Sequence, residues 1–135
     1  MLKHACLFVL GLAAALCFVP LTAQAQDRWL IMVYVAGDND LEPTLVDDVR
    51  ELAAADDNPN VQVLVQFDRK NGWSGDGEER TVRGLEDHLS GAQRFLLSRG
   101  GATDAVEVGR IDSGSPAQLQ AFIRWALGAS TLTAP

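Results

Sequence analysis

The chain has 135 residues, a formal net charge of -7 and 47% hydrophobic residues. Its 11 Lys and Arg residues are scattered, and so they do not form the basic cluster with which proteins bind phosphate backbones. This composition argues against a nucleic-acid partner. The length allows one domain with a modest core.

The first 25 residues have the pattern of an export signal. Lys3 precedes an apolar block at residues 5–19, and Ala23 and Ala25 form an A-x-A cleavage site. The block is shorter than the roughly 20 apolar residues of a membrane span. We predict a signal peptide at residues 1–25 and a secreted or periplasmic product, residues 26–135, without a membrane anchor.

Both cysteines lie in this predicted leader. They are Cys6 and Cys17, and Leu16 before Cys17 does not fit a lipoprotein site, which needs a small residue there. The expected product therefore has no cysteine and one histidine, His88. It has neither a disulfide framework nor a thiol nucleophile.

A β-α-β unit is predicted after the leader. Residues 30–36 are apolar on both faces, which is typical of a central strand of a parallel sheet. Asp40 is expected to cap the following helix, with Pro43 in its first turn. The apolar stripe of that helix is expected at Leu41, Leu45, Val49 and Leu52.

The end of this unit is marked by Asn58 and Pro59, which stop the helix. Alternating apolar residues then predict a second strand, joined to the first by a parallel crossover. They are Val61, Val63, Val65 and Phe67.

A hairpin and a helix are predicted in the second half. Residues 94–97 and 106–111 indicate two strands, with Gly100 and Gly101 turning between them. Ser115 and Gln118 have the spacing of a capping box, and Pro116 suits the first helical position. Gly128 is expected to close this helix. Its apolar stripe is expected at Leu119, Phe122, Ile123 and Ala126.

One edge of the predicted sheet is expected to be open. An alternating α/β protein needs a strand after the last helix, whereas residues 129–135 are mostly small and polar. The first strand has only the strand from Val61 as a clear neighbour. We expect the chain to be an N-terminal piece of a larger domain, or another chain to complete the sheet.

Several segments together resemble the clostripain family of cysteine peptidases, and they occur in the same order as in that family. They are residues 29–34 (WLIMVY), 38–42 (DNDLE), 61–68, 73–75 (WSG) and 122–125 (FIRW). The resemblance implies a caspase-like three-layer α/β/α fold with a mostly parallel sheet, apparently truncated here. It also implies an exported endopeptidase that cleaves protein or peptide substrates after Arg or Lys.

The catalytic dyad of that family is not in this sequence. In the family, a His ends the strand after the helix that matches residues 122–125, and the nucleophilic Cys ends the following strand. His88 lies in a polar stretch that matches no part of this pattern and is expected at the surface. We assign no catalytic, cofactor-binding or metal-binding residue and expect the chain alone to be inactive. Members of the family can depend on calcium.

The acidic turn at residues 38–42 permits two other interpretations. Asp38 and Asp40 follow a strand, as do carboxylates that bind Mg²⁺ or Mn²⁺ in phosphotransferases and glycosyltransferases, although Glu42 replaces the Thr of a DxDxT motif. The same three residues have the alternate spacing that begins a calcium loop, without its later Gly and Glu. The simplest expectation is that Asp40 caps the helix and Asp38 shapes the turn.

Three further features have two readings each. Residues 73–75 could line a substrate cleft or form a packed surface loop. Arg124 and Trp125 could belong to a binding surface, but the simpler expectation is that Arg124 lies in solvent and Trp125 beside the core. The alternative to a peptidase is a noncatalytic module that pairs its open sheet edge with a partner strand.

Overall fold

The structure is a computed structural model that describes residues 27–55, 57–70, 82–85 and 91–132. The predicted signal peptide, residues 73–75 and His88 lie outside the described residues. Within those ranges, no helix is long and apolar enough to cross a membrane. The elements are β1 (Trp29–Gly37), α1 (Glu42–Ala54), β2 (Val61–Arg69), β3 (Gly91–Ser98), β4 (Gly101–Gly109) and α2 (Pro116–Ala129).

The four strands form one mixed sheet in the order β1-β2-β3-β4. β1 and β2 are parallel, with Trp29 opposite Val61 and Gly37 opposite Arg69. The other two pairings are antiparallel. The α/β class and the β-α-β unit are thus confirmed. The described sheet is not mostly parallel, because a tight turn joins β3 to β4 and such a turn allows only antiparallel pairing.

The predicted hairpin is confirmed, with strands longer than expected. β4 begins at Gly101, five residues before the apolar residue Val106 at which the prediction began. The prediction began too late because the exposed middle of this strand is mostly polar and has no strand pattern. Gly100 and Gly101 have φ values of 90° and 149°, which favour glycine. Gly101 also lies against the backbone oxygen of Arg83, so a side chain at position 101 would clash with it.

α1 packs against one face of the sheet, and its buried side matches the predicted stripe only in part, at Val49 and the partly buried Leu45. Val46, Val49 and Ala53 pack there with strand residues that include Phe67 and Phe95. Glu42 is buried as well, whereas the predicted stripe residues Leu41 and Leu52 are exposed. The helix begins at Glu42, whose carboxylate turns inward to Arg69 and lies on the same side of the helix as these three apolar residues.

Asp40 does not cap α1, contrary to the sequence-based expectation. Leu41 occupies the capping position without a side-chain capping bond. Asn39 organises the turn instead, because its side-chain oxygen accepts from the Leu41 N–H and its amide donates to the Ala36 carbonyl. The Asp40 carboxylate accepts a hydrogen bond from Lys70 at 3.0 Å.

α2 packs against the opposite face. Phe122 and Ala126 are buried with Leu64 of β2. The Tyr34 ring lies 5.6 Å from that of Phe122, and Trp125 stacks on Phe122 at 6.0 Å. Trp125 therefore flanks this core as predicted.

The predicted boundaries of α2 are partly confirmed. Pro116 is its first residue, but Ser115 makes no side-chain capping bond, so the expected capping box is not formed. The helix passes through Gly128 and ends at Ala129. Arg124 is exposed, as expected, and bonds Gln120.

The end of α2 is fixed to the start of β2 by Gln62. Its side-chain oxygen accepts hydrogen bonds from Ser130 Oγ at 2.9 Å and from the Thr131 N–H at 3.1 Å. Its amide donates to Thr131 Oγ1 at 3.2 Å. α2 therefore runs from the carboxyl ends of the parallel strands back to their amino ends.

β1 lies at the edge of the described sheet and not at its centre. Trp29, Ile31 and Met32 are exposed, although their pattern is that of a strand covered on both faces. The prediction of a central strand is wrong for the described residues, because β1 has β2 on one side and no strand on the other. In the part of the chain that the structure describes, the open edge that the sequence predicts is the outer edge of β1.

Candidate functional site

A cleft of about 400 Å³ opens where β1 and β2 end. Asp38 directly follows β1, and Asp68 is the last but one residue of β2. Open α/β sheets bind ligands beyond the carboxyl ends of their parallel strands. The residues that line the cleft are Asp38, Asp68, Arg69, Lys70, Gly91, Arg110 and Ile111.

Asp68 is the buried carboxylate of this cleft, with 3% of its surface exposed. Burial raises the pKa of Asp68 above its ordinary value of 3.8; the hydrogen bond from Ser113 opposes the rise, and the charge of Asp38 adds to it. Ser113 Oγ donates that bond to Oδ2 at 2.5 Å. Such a carboxyl group, beside a second and exposed one, can hold a proton or bind a cationic group.

The segment between β4 and α2 positions Ser113. The Tyr34 hydroxyl donates to the Ser113 carbonyl at 3.2 Å, and Asp112 Oδ1 accepts from the Gly114 N–H at 3.0 Å. These bonds hold the segment over β1 and β2. Ser113 was not predicted as a site residue, because no local sequence pattern signals it. Asp68 could have been found, because it ends an apolar strand as Asp38 does.

Two cationic side chains of the cleft are bound to carboxylates. Arg69 Nε lies 2.8 Å from Glu42 Oε1, and both side chains are buried, at 8% and 1% exposure. The Arg69 guanidinium also lies 5.8 Å from the centre of the Phe67 ring. Lys70 binds Asp40 in an exposed pair. The pairs tie the end of β2 to the start of α1.

The three acidic residues considered as metal ligands have separate surroundings. Asp38 lines the cleft, Asp40 binds Lys70 in solvent, and Glu42 is buried against Arg69. Among the described residues, no group of three or more His, Cys, Asp or Glu side chains could hold a metal ion.

A second polar cluster joins α2 to the sheet. Arg94 Nε donates to Gln66 Oε1 at 2.7 Å, and its guanidinium lies 5.7 Å from the centre of the Trp125 ring. Burial lowers the pKa of Arg94 from its ordinary value, while Tyr34 opposes this change. These contacts fix which side of α2 faces β3.

No family model matches the chain, and no curated protein matches it.

Proposed function

We propose that residues 26–135 form the N-terminal part of a clostripain-like cysteine endopeptidase domain and that residues 1–25 direct its export. The complete enzyme would cleave protein or peptide substrates after Arg or Lys. This segment would supply the scaffold and part of the cleft, while the His and Cys come from strands outside it. Alone, the segment would be inactive, because attack on a peptide carbonyl requires the thiolate.

The observation that carries the proposal is the open edge of β1 between two helices. Ile31 and Met32 are exposed, and they lie on opposite faces of β1 because successive side chains alternate. Both helices also expose apolar side chains. A strand added at this edge would have apolar cover on both faces.

The exposed side of α2 can be placed from its contacts. Trp125 contacts Arg94 of β3, so that side of the helix faces β3. Each residue advances about 100° around a helix, since one turn takes 3.6 residues. The residues on the side away from β3, above the outer edge of β1, are Leu119, Ile123 and Leu127, and all three are exposed.

α1, on the opposite face of the sheet, also has exposed apolar residues on the side nearest the open edge of β1. Arg50 and Ala54 lie beside Gly101, at the β3–β4 turn. Leu41 and Leu52 lie on the other side of the helix and are exposed. Both helices therefore extend apolar surface toward the same open edge, as a caspase-like three-layer arrangement with a further parallel strand would require.

The position of the cleft at the ends of β1 and β2 supports the proposal. A strand that pairs parallel to β1 ends at the same sheet edge as β1 and β2. Its last residue would lie next to Asp38, on the side away from Asp68. The resemblance assigns the His to that strand and the Cys to the one after it.

The test is the coding sequence that follows Pro135, read in every frame. We expect a strand ending in His-Gly and, after it, a strand ending in Cys. The continuous protein should hydrolyse an Arg peptide amide but not the matched Asp peptide amide, and replacing that Cys by Ala should remove the activity. Absence of both strands, or turnover of the Arg substrate by this chain alone, would contradict the proposal.

The open edge also favours a second candidate, a noncatalytic module that binds a partner strand at β1. A stoichiometric soluble complex, with no His-bearing and Cys-bearing strands downstream, would favour that candidate. The metal-dependent alternative is disfavoured because the Asp40 carboxylate binds Lys70.

A further inference from the structure

We infer that two copies of this chain pair their β1 strands antiparallel around a two-fold axis, which joins two four-stranded sheets into one. The inference goes beyond the proposed function and concerns the 135-residue chain by itself. In a longer protein that adds a further strand at this edge, as the proposed function expects, the edge would be filled and the dimer would not form.

The free backbone groups of β1 follow from one hydrogen bond. The Trp29 N–H donates to the Asn60 carbonyl at 2.7 Å, so the backbone groups of Trp29 face β2. Backbone groups alternate in direction along a strand, as side chains do. The N–H and C=O groups that face outward are therefore those of Leu30, Met32, Tyr34 and Ala36. Such a row is a template for another strand.

A two-fold axis beside Val33 places the outward backbone groups of one copy opposite those of the second copy. Met32 pairs with Tyr34 of the second copy, and Leu30 pairs with Ala36 of the second copy. In such antiparallel pairs the two residues exchange both backbone hydrogen bonds. Every outward N–H and C=O of β1 then has a partner.

The same register is complementary in charge. Arg28 lies opposite Asp38 of the second copy, and symmetry forms this pair twice. Both residues are exposed, and residues 29–37 between them carry no charge. Opposite charges at facing positions stabilise an antiparallel pair. A parallel pairing in register would place like charges together, so the charges favour the antiparallel dimer.

The apolar residues beside β1 also meet their own copies. With the axis perpendicular to the sheet, α1 approaches α1 and α2 approaches α2 of the second copy, as in an isologous interface. Of the exposed large hydrophobic residues in the described part of the chain, all but Val106 lie on β1 or on the helix sides next to it.

The first test is charge reversal. The product of the complete 135-residue sequence is purified, and its mass in solution is measured by light scattering over a dilution series. We expect a dimer. Arg28→Asp and Asp38→Arg should each weaken dimerisation about tenfold, because two facing pairs become repulsive, and the double variant should restore it. Glu107→Arg on β4 changes the charge as Asp38→Arg does and should have no effect.

The second test addresses the backbone and the apolar flank. Met32→Pro removes an outward N–H from each copy and should weaken dimerisation by about a hundredfold while leaving the β1–β2 hydrogen bonds in place. Leu127→Lys should weaken it, whereas Val106→Lys, an equivalent change away from β1, should not. If Met32→Pro does not fold, the charge-reversal cycle decides the question.

A wild-type chain that is monomeric at every concentration would overturn the dimer. So would a folded double reversal that fails to regain the affinity lost in the single variants. Either outcome leaves the peptidase proposal standing, because that proposal is decided by the downstream coding sequence and by Cys-dependent turnover.

Discussion

Breaking the buried Glu42–Arg69 pair should destabilise the chain strongly, and the loss should depend on which partner is removed. At the 2.8 Å separation, the direct attraction is about 6 kcal/mol for an effective dielectric constant of about 20, and desolvation of both ions offsets much of it. Arg69→Met leaves a carboxylate that is 1% exposed, with Oε2 already lacking a hydrogen-bond partner. We expect it to cost about 3–5 kcal/mol.

Glu42→Leu should cost less, about 2 kcal/mol, because Arg69 lines the cleft and can turn toward water. The double variant should lie within about 1 kcal/mol of the wild type, since apolar residues of similar volume can replace a buried pair. Lys70→Met, which breaks an exposed pair, is the control and should cost less than about 1 kcal/mol.

Urea unfolding of the single and double variants, analysed by linear extrapolation, measures these differences and their coupling. Arg69→Met with a loss below about 1 kcal/mol would refute the reasoning. A double variant as unstable as the sum of the two singles would refute it as well, since the two residues would then act independently.

Three more predictions follow from the packing. Ser113→Ala should raise the pKa of Asp68 further, because it removes the hydrogen bond that lowers this pKa, and NMR titration of the carboxyl group checks the shift. Since the pKa in the folded state lies above the ordinary value of 3.8, the free energy of unfolding should fall as the pH rises from 3.8 through the folded-state pKa, and it should fall more in the variant. Phe122→Ala should cost about 3–5 kcal/mol by opening a cavity in the α2 core, and a loss below about 1 kcal/mol in urea would contradict that burial. Gly128→Ala should raise the free energy of unfolding by about 0.5–1 kcal/mol, because the added methyl group meets open space in the helix. Gly101→Ala should lower the melting temperature, because its side chain would clash with the Arg83 backbone. A Gly101→Ala variant that melts above the Gly128→Ala variant would contradict the structure.

The order of strands and helices could be predicted because local patterns in the sequence indicate each element. Alternating apolar residues marked β2, and paired glycines marked the β3–β4 turn. The rotation of α1 could not be predicted in this way. The buried side includes Glu42, whose partner Arg69 lies 27 positions away, and a helical apolar stripe cannot reveal a carboxylate that turns inward.

The same limit applies to the acidic turn and the cleft. A capping pattern at Asp40 is local, whereas the bond that this carboxylate makes reaches Lys70, 30 positions away. Asp38 was expected at a strand end and lines the cleft. Ser113 enters the site only because the chain returns over β1 and β2 before α2 begins.

The anchoring of α2 at both ends affects how anything could dock beside β1. Tyr34 and Asp68 hold the segment that leads into the helix, and Gln62 holds the residues that leave it. The position of α2, with its exposed leucines, is therefore fixed before anything binds. A strand that docks beside β1 would not have to immobilise this helix. Association should accordingly proceed as rigid-body docking, with little entropy lost in this helix and with differences among variants expressed mainly in the dissociation rate.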